Sequence, residues 1–305
     1  MIRLLSPEWG VTDDGMMTTQ FGASVAFVTT HVHVVRLSFA KNYDGLTFAV
    51  QINAADWQEM PVTDQTLQVT IPTETAEVRM VLRDRAGSSE AFWQDPVYVT
   101  AMTIDQGEVA PIENAQPYVT FVGDSITAGA AMAADGHHPE LSYPQLVADA
   151  LGQPLARIAY GGTGLTAAAP YQIPTAIEAL WHVGDNVSRP LVTTNLVLVN
   201  YGTNDFNYGA TPTAFAFGLR IYLLELIKRF HNAKIILMMP LNGAFREVFL
   251  AETARFDQFT LIETKSWLPA MTDVHPNCAA HQIIAEQIMN CLLYTSDAAD
   301  DMQCV

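Results

Sequence analysis

Residues Tyr118–Gly129 read YVTFVGDSITAG. Tyr118 to Val122 is a short apolar, β-branched run with Pro117 just before it, the pattern of a buried strand in a parallel sheet. At Gly123 the apolar run stops and Asp124-Ser125 follow. Small, turn-prone residues let the chain leave the strand sharply and lift the Ser125 hydroxyl to the carboxyl end of the sheet. That edge is where open α/β sheets bind ligands. On its own the segment serves equally well as an ordinary strand-to-helix turn, because Asp and Ser are common helix caps.

The chain downstream supplies the context. Leu155–Ala159, Leu196–Asn200, Lys234–Met239 and Phe259–Glu263 read as further strands. Between them Pro144–Leu151, Pro174–Trp181, Pro212–Phe230 and Phe245–Phe256 have helical spacing, and Asn277–Asn290 adds a last helix with Ala280, Ile283, Ile284 and Ile288 along its apolar face. Such alternation predicts a parallel sheet with helices on both faces. Three more short motifs then fall at strand ends or before the last helix: Tyr160-Gly161-Gly162-Thr163-Gly164, Tyr201-Gly202-Thr203-Asn204-Asp205 and Thr272-Asp273-Val274-His275-Pro276-Asn277. A parallel sheet would gather all four at one edge. Together they hold what acyl transfer needs: a hydroxyl nucleophile, an imidazole base and donors for an oxyanion. In that reading Ser125 attacks, His275 takes its proton, and the N–H groups of Ser125 and Gly164 with the Asn204 amide hold the oxyanion.

Upstream, residues 1–112 read as all-β. Val25–Phe39 contains HVHVVRLSF, which as one strand would place His31, His33 and Val35 on one face. Leu46–Ile52, Leu67–Ile71, Val78–Leu82 and Val97–Ala101 follow, with turn signals between them, as in a jelly-roll β-sandwich. His31 and His33 have no matching third metal ligand and read as exposed strand histidines. Trp57 and Trp93 suit core or interface packing at least as well as stacking on a sugar. Thr103–Pro117 is polar, carries two prolines and reads as the linker to a second domain at 113–291.

Composition narrows the partners. The 305 residues carry 15 Lys+Arg against 32 Asp+Glu, a net charge of -17, with no basic run. That argues against nucleic acid and anionic membrane surfaces. The longest clean apolar stretch, Ile235–Leu241, suits a strand and is far short of a membrane span. Three cysteines make no disulfide framework, and Met1–Glu8 does not read as a secretory leader. The expectation is a cytoplasmic protein that needs no cofactor or metal.

The order and spacing of the four motifs resembles the SGNH (GDSL-type) hydrolase family over about residues 117–290. Its Ser, Gly, Asn and His blocks correspond to Ser125, Gly164, Asn204 and His275. The β-rich N-terminal domain and the run Asp273–Gln282 resemble, more narrowly, the two-domain acetyl esterases of carbohydrate esterase family two. The resemblance implies a three-layer α/β/α, flavodoxin-like parallel sheet behind a β-sandwich. It also implies a serine esterase that removes acetyl or short-chain acyl groups from carbohydrates, with an acetylated small molecule or oligosaccharide as partner. Two positions depart from the general family: Ala159 stands where an Asn usually precedes the oxyanion glycine, and Thr272 stands where the acid usually precedes the histidine. Asp273 is one residue off, so the third catalytic member is either Asp273 or, as the resemblance to family two allows, a backbone carbonyl. Two alternatives stand beside this reading: a lipid or thioester hydrolase of the same type, and a non-catalytic carbohydrate-binding protein. A dinucleotide fingerprint at Gly162–Ala167 is cut short by Pro170, and no G-x-S-x-G elbow of an α/β-hydrolase occurs. His281 reads as a packing residue. The segment 292–305 (LLYTSDAADDMQCV) does not read as a continuation of the last helix; it resembles translated sequencing-adapter read-through and is expected to be a non-native tail.

Overall fold

An apolar β-branched run buries both faces, and Tyr118–Gly123 is buried from Val119 onward. The computed structural model describes residues 4–113, 115–269 and 273–297. Ten strands precede this one: β1 (Gly10–Thr12), β2 (Gly15–Thr18), β3 (Ser24–Thr30), β4 (Val34–Phe39), β5 (Thr47–Ile52), β6 (Gln58–Pro61), β7 (Thr66–Thr70), β8 (Thr75–Asp84), β9 (Val97–Ile104) and β10 (Glu108–Pro111). They form two antiparallel five-stranded sheets, ordered β1-β2-β9-β4-β7 and β10-β3-β8-β5-β6. Burial alternates along β3 and β4, as it must in a strand with one face on a core. The inward residues, among them Phe27, Val35, Leu37, Phe48, Leu67 and Val78, make one apolar cluster between the sheets. This is a β-sandwich. One helix, α1 (Ser89–Gln94), is inserted between β8 and β9 and starts from a Ser88 cap.

Two details differ from the sequence reading. Val25–Phe39 is not one strand: the chain turns at His31, whose φ is +56°, only Val34–Phe39 of HVHVVRLSF is strand, and β3 and β4 lie in different sheets. A turn between two apolar runs looks like one long strand when its residues are not Gly or Pro. The expected linker is also partly sheet, because β10 pairs antiparallel with β3, Glu108 opposite Thr30. β10 is an edge strand, and its polar composition reflects one solvated side rather than loop structure.

The second half is β11 (Tyr118–Gly123), α2 (Ser125–Ala128), α3 (Tyr143–Leu151), β12 (Leu155–Ala159), α4 (Ala176–Trp181), a small hairpin of β13 (His182–Gly184) and β14 (Val187–Ser188), β15 (Thr194–Asn200), α5 (Thr203–Asn207), α6 (Pro212–Arg229), β16 (Lys234–Met238), α7 (Arg246–Thr253), β17 (Phe259–Ile262) and α8 (Cys278–Asp297). The sheet order is β12-β11-β15-β16-β17, with every pair parallel. Tyr143 and Val147 of α3 and Ile284 and Ile288 of α8 cover one face; Leu180, Phe215, Leu223 and Phe249 from α4, α6 and α7 cover the other. This is the three-layer architecture, with its topological switch point between β11 and β15. α8 runs past Asn290 to Asp297, and Leu292 packs against the core, so the helix continues where the sequence reading ends it. Ile284, Ile288, Cys291 and Leu292 recur at helical spacing and extend the apolar face.

β12 is an edge strand, and the β-sandwich half covers it. Glu8 accepts the Arg157 main-chain N–H, and Gln20 Nε2 donates to the Arg157 carbonyl at 3.0 Å. Thr19 and the Tyr160 hydroxyl are hydrogen-bonded at 2.9 Å. The free edge is thus satisfied by side chains rather than by another strand.

Candidate active site

β11 and β15 flank the switch point, and each ends in one of the short motifs. Gly123 closes β11 where any side chain would collide with Thr127 Oγ1 and stand 2.6 Å from the Asn200 carbonyl. A β-carbon has no room here, so the close approach of β11 to α2 and to the end of β15 requires glycine. Asp124 then caps α2, its Oδ1 accepting the Ile126 N–H at 3.0 Å. Ser125 is the first helical residue and is 7% exposed. Gly129, at φ +76°, ends this short helix. From the other side of the sheet edge, the segment before α8 brings in His275. Its Nε2 lies 2.8 Å from Ser125 Oγ, across 150 residues of sequence. Asn277 caps α8 through Oδ1 to the Ala280 N–H at 2.9 Å, which fixes the chain directly after the histidine.

Asn204 and Gly164 come to the same edge. Asn204 is 7% exposed and donates one Nδ2 hydrogen to the Thr163 carbonyl at 2.8 Å. Nδ2 also lies 3.4 Å from Asp124 Oδ2, a long and weak contact that leaves the second hydrogen available. Among the described residues no protein acceptor is recorded for the N–H of Ser125 or of Gly164. A β-carbon at Gly164 would stand 2.6 Å from Asp205 Oδ2 and 2.7 Å from Ala169 Cβ.

His275 is half-buried, and its pKa lies below the ordinary 6.5. Burial is the main cause; the charge of a protonated His137 adds to it, and the negative charge of Asp273 opposes both. Asp273 is exposed, and among the described residues no hydrogen bond joins it to His275. Thr272, at the position the acid usually takes, lies outside the described residues. His281 is fully buried, accepts the Tyr143 N–H at 3.1 Å on Nδ1 and stacks on the Tyr143 ring. Burial pushes its pKa down to about 3, so it is a neutral packing residue.

Three groups around the site were not assigned from sequence. Asp205 is buried and accepts hydrogen bonds from Leu165 N at 3.0 Å, Thr166 N at 2.8 Å and Thr166 Oγ1 at 2.7 Å. With Asn204 on Thr163, it holds the loop on both sides of Gly164. Asp124 is fully buried; desolvation carries its pKa up to about 7, the Ile126 N–H opposing and the Asp205 charge adding to the rise. Both aspartates sit inside the quoted motifs, so adjacency to Ser125 and Asn204 was the available signal. Ser89 comes from α1 of the β-sandwich half and accepts the Gly161 N–H at 2.9 Å. The place a Gly161 β-carbon would occupy is 2.8 Å from Ser89 Oγ and 3.5 Å from Ser125 Cβ. No local sequence signal marks such a residue. Trp93 is buried between the halves, donating to Asp185 Oδ1 at 2.8 Å with its ring edge-on to Tyr160, while Trp57 is half-buried. His31 and His33 are exposed and sit beside Glu74 and Asp105. Among the described residues no group of three or more His, Cys, Asp or Glu could hold a metal ion, and no helix is long and apolar enough to cross a membrane.

Residues 121–283 match the model of the GDSL-like lipase/acylhydrolase family. No curated protein matches the sequence significantly. The fold is similar to a family two carbohydrate esterase from Clostridium thermocellum, solved in complex with cellohexaose: TM-score 0.81, 17% identity, 96% of this chain and 99% of that one covered. It is also similar to a family two carbohydrate esterase from Cellvibrio japonicus (TM-score 0.77, 16% identity, 96% and 95% covered). A third similar structure is an acetyl xylan esterase from the rumen bacterium Butyrivibrio proteoclasticus (TM-score 0.74, 17% identity, 96% and 95% covered). Both halves of the chain therefore recur together in other proteins.

Proposed function

The chain belongs to the GDSL-like lipase/acylhydrolase family, and on that premise we propose that it is a serine esterase that removes acetyl groups from carbohydrates. The observation that carries the reading is the 2.8 Å contact of His275 Nε2 with Ser125 Oγ. His275 takes the Ser125 proton as Oγ adds to the acetyl carbonyl. The carbonyl oxygen becomes an oxyanion, received by the N–H groups of Ser125 and Gly164 and the second Nδ2 hydrogen of Asn204. The imidazolium returns its proton to the departing sugar oxygen, leaving an acetyl-enzyme. Water, deprotonated by the same imidazole, then releases acetate. A lowered His275 pKa keeps the imidazole neutral, the form this sequence starts from. The carbohydrate part of the proposal rests on two similar folds, one solved with cellohexaose and one described as an acetyl xylan esterase.

The test is hydrolysis of p-nitrophenyl acetate, butyrate and octanoate alongside acetylated xylo- and cello-oligosaccharides. kcat/KM is expected to fall steeply from acetyl to octanoyl, and acetate is expected to be released from the oligosaccharides. Ser125→Ala is expected to abolish both activities with the fold intact by circular dichroism. A rise with chain length moves the reading to a lipid or thioester hydrolase. Full activity in Ser125→Ala removes the serine mechanism.

A further inference from the structure

The loop that follows the Ser125 helix has little of its own to hold it. Gly129–His138 reads GAAMAADGHH, and from Ala130 onward only Met132 and His138 are buried. The loop closes at its base, where the His138 N–H donates to the Gly129 carbonyl at 2.8 Å, four residues after the nucleophile. Its Met132 carbonyl accepts from Cys278 Sγ at 3.9 Å, three residues after His275. Beyond the loop, the Tyr143 N–H donates to His281 on the same helix, α8. The segment therefore bridges the helix that carries Ser125 and the helix that His275 precedes.

The anchor for this loop comes from the other half of the chain. Arg83, near the end of β8, is 6% exposed. Its Nε donates to the His137 carbonyl at 3.0 Å and its Nη2 to Asp135 Oδ2 at 2.7 Å, while Nη1 donates to Glu59 Oε2 of β6 at 2.5 Å. Asp135 carries the grip inward: its Oδ1 lies 3.0 Å from His138 Nε2, and Nδ1 of that ring lies 2.9 Å from Oε1 of the buried Glu140. The Phe21 ring of the β-sandwich half packs 4.5 Å from the His137 ring. A β-carbon at Gly136 would stand 2.4 Å from Asp84 Oδ2, so the loop meets the end of β8 with no space between them. A buried guanidinium that divides its planar fork between one sandwich carboxylate and two loop acceptors fixes the direction of the loop as well as its place. His137, on this loop, is close enough to His275 for its charge to lower the His275 pKa.

We propose that Arg83 is a positioning residue for the reaction: by fixing the loop Gly129–His138 against β8 it holds the Ser125 helix and the start of α8 in register, so that the β-sandwich half completes the active site. The proposal rests on the Ser125–His275 esterase reading.

The experiment compares variants of the full chain. In Arg83→Gln, kcat on p-nitrophenyl acetate is expected to fall ~10–100-fold with little change in KM, the pattern of a displaced catalytic pair rather than a lost substrate contact. The acidic limb of kcat/KM is expected to move up toward the ordinary 6.5, because a released loop carries His137 away from His275. Arg83→Lys keeps the charge without the fork and is expected to restore only part of both. Asp135→Ala cuts the loop side of the same contact at an exposed residue. It is expected to act in the same direction, and the double variant to lose no more than Arg83→Gln alone. Should Arg83→Gln fail to fold, Asp135→Ala decides. NMR titration of the His275 ring reads the same upward shift in the resting protein. A chain inactive on every ester thus overturns the esterase reading, and the titration still tests Arg83. Wild-type kcat with an unmoved His275 titration in these variants, or a fall in Tm alone, overturns the proposal.

Discussion

Asp205 grips Thr166 twice, taking its main-chain N–H at 2.8 Å and its hydroxyl at 2.7 Å. The neighbouring Asn204 holds Thr163 through its carbonyl at 2.8 Å. Gly164 lies between these two anchors, so its N–H is aimed by side chains that belong to the β15 motif. Two of the three proposed oxyanion donors, the Gly164 N–H and the Asn204 amide, are therefore held as one mechanical unit. Asp205→Asn loses acceptor strength at every one of these bonds. It is expected to lower kcat ~10–100-fold with little change in KM, short of the ~10²–10³ expected for losing a donor itself in Asn204→Ala. Gly164→Ala places a methyl 2.6 Å from Asp205 Oδ2 and is expected to lose at least as much as Asn204→Ala. Steady-state kinetics on p-nitrophenyl acetate decide the order; an Asp205→Asn enzyme with wild-type kcat breaks the link.

Ser89 crosses between the halves to cap Gly161 beside the Ser125 α2 turn. Ser89→Ala leaves that half-buried N–H unpaired, at a cost of about 1–3 kcal/mol in the loop that leads to Gly164. We expect a Tm decrease and a fall in kcat of ~10-fold, with Ser89→Thr restoring most of both. Unchanged kinetics in Ser89→Ala would confine the bond to stability.

The parallel sheet and its four motifs were legible because their signals are local: apolar runs of strand length, and Gly, Asp, Ser and Asn at their ends. The strand at Leu155–Ala159 is observed with the expected bounds. The same local reading joined β3 and β4 into one strand, because His31 adopts a left-handed turn that no Gly or Pro announces. It also passed over Asp205 and Ser89. Their roles are set by what lies 39 and 72 residues away in sequence, a relation made by topology rather than by spacing.

Asp124 makes stability depend on pH in a definite direction. Its folded pKa is about 7 against an ordinary 3.8. Between those values the folded chain keeps a proton that the unfolded chain has lost, so the contribution is present at low pH and is lost as pH rises through about 7. Asp124→Asn still offers an oxygen to the Ile126 N–H and removes the titration. The stability of Asp124→Asn relative to wild type is therefore expected to increase from pH 5 to pH 8, by on the order of 1.4 kcal/mol per unit within the window. Urea unfolding of both proteins at the two pH values measures it, and a difference that does not change with pH contradicts the assignment.

The last expectation concerns what holds His275. Asp273 acts on it through charge, raising a pKa that burial and His137 lower, and no hydrogen bond between the two is recorded. A base that must be neutral gives an acidic limb to kcat/KM at its own pKa, so the limb is expected below the ordinary 6.5. Removing the Asp273 charge in Asp273→Asn takes away the raising influence, and the limb is expected to move further to acid. His137→Gln removes a lowering influence and is expected to move it the other way. Where a carboxylate fixes the histidine tautomer by a hydrogen bond, its loss costs ~10⁴ in kcat; a distant helper costs far less. We therefore expect Asp273→Asn to lose less than ~10²-fold in kcat, while His275→Ala is nearly inactive. That combination leaves the orientation of His275 to the main chain, and a loss near 10⁴ in Asp273→Asn would instead make Asp273 the third member of a triad.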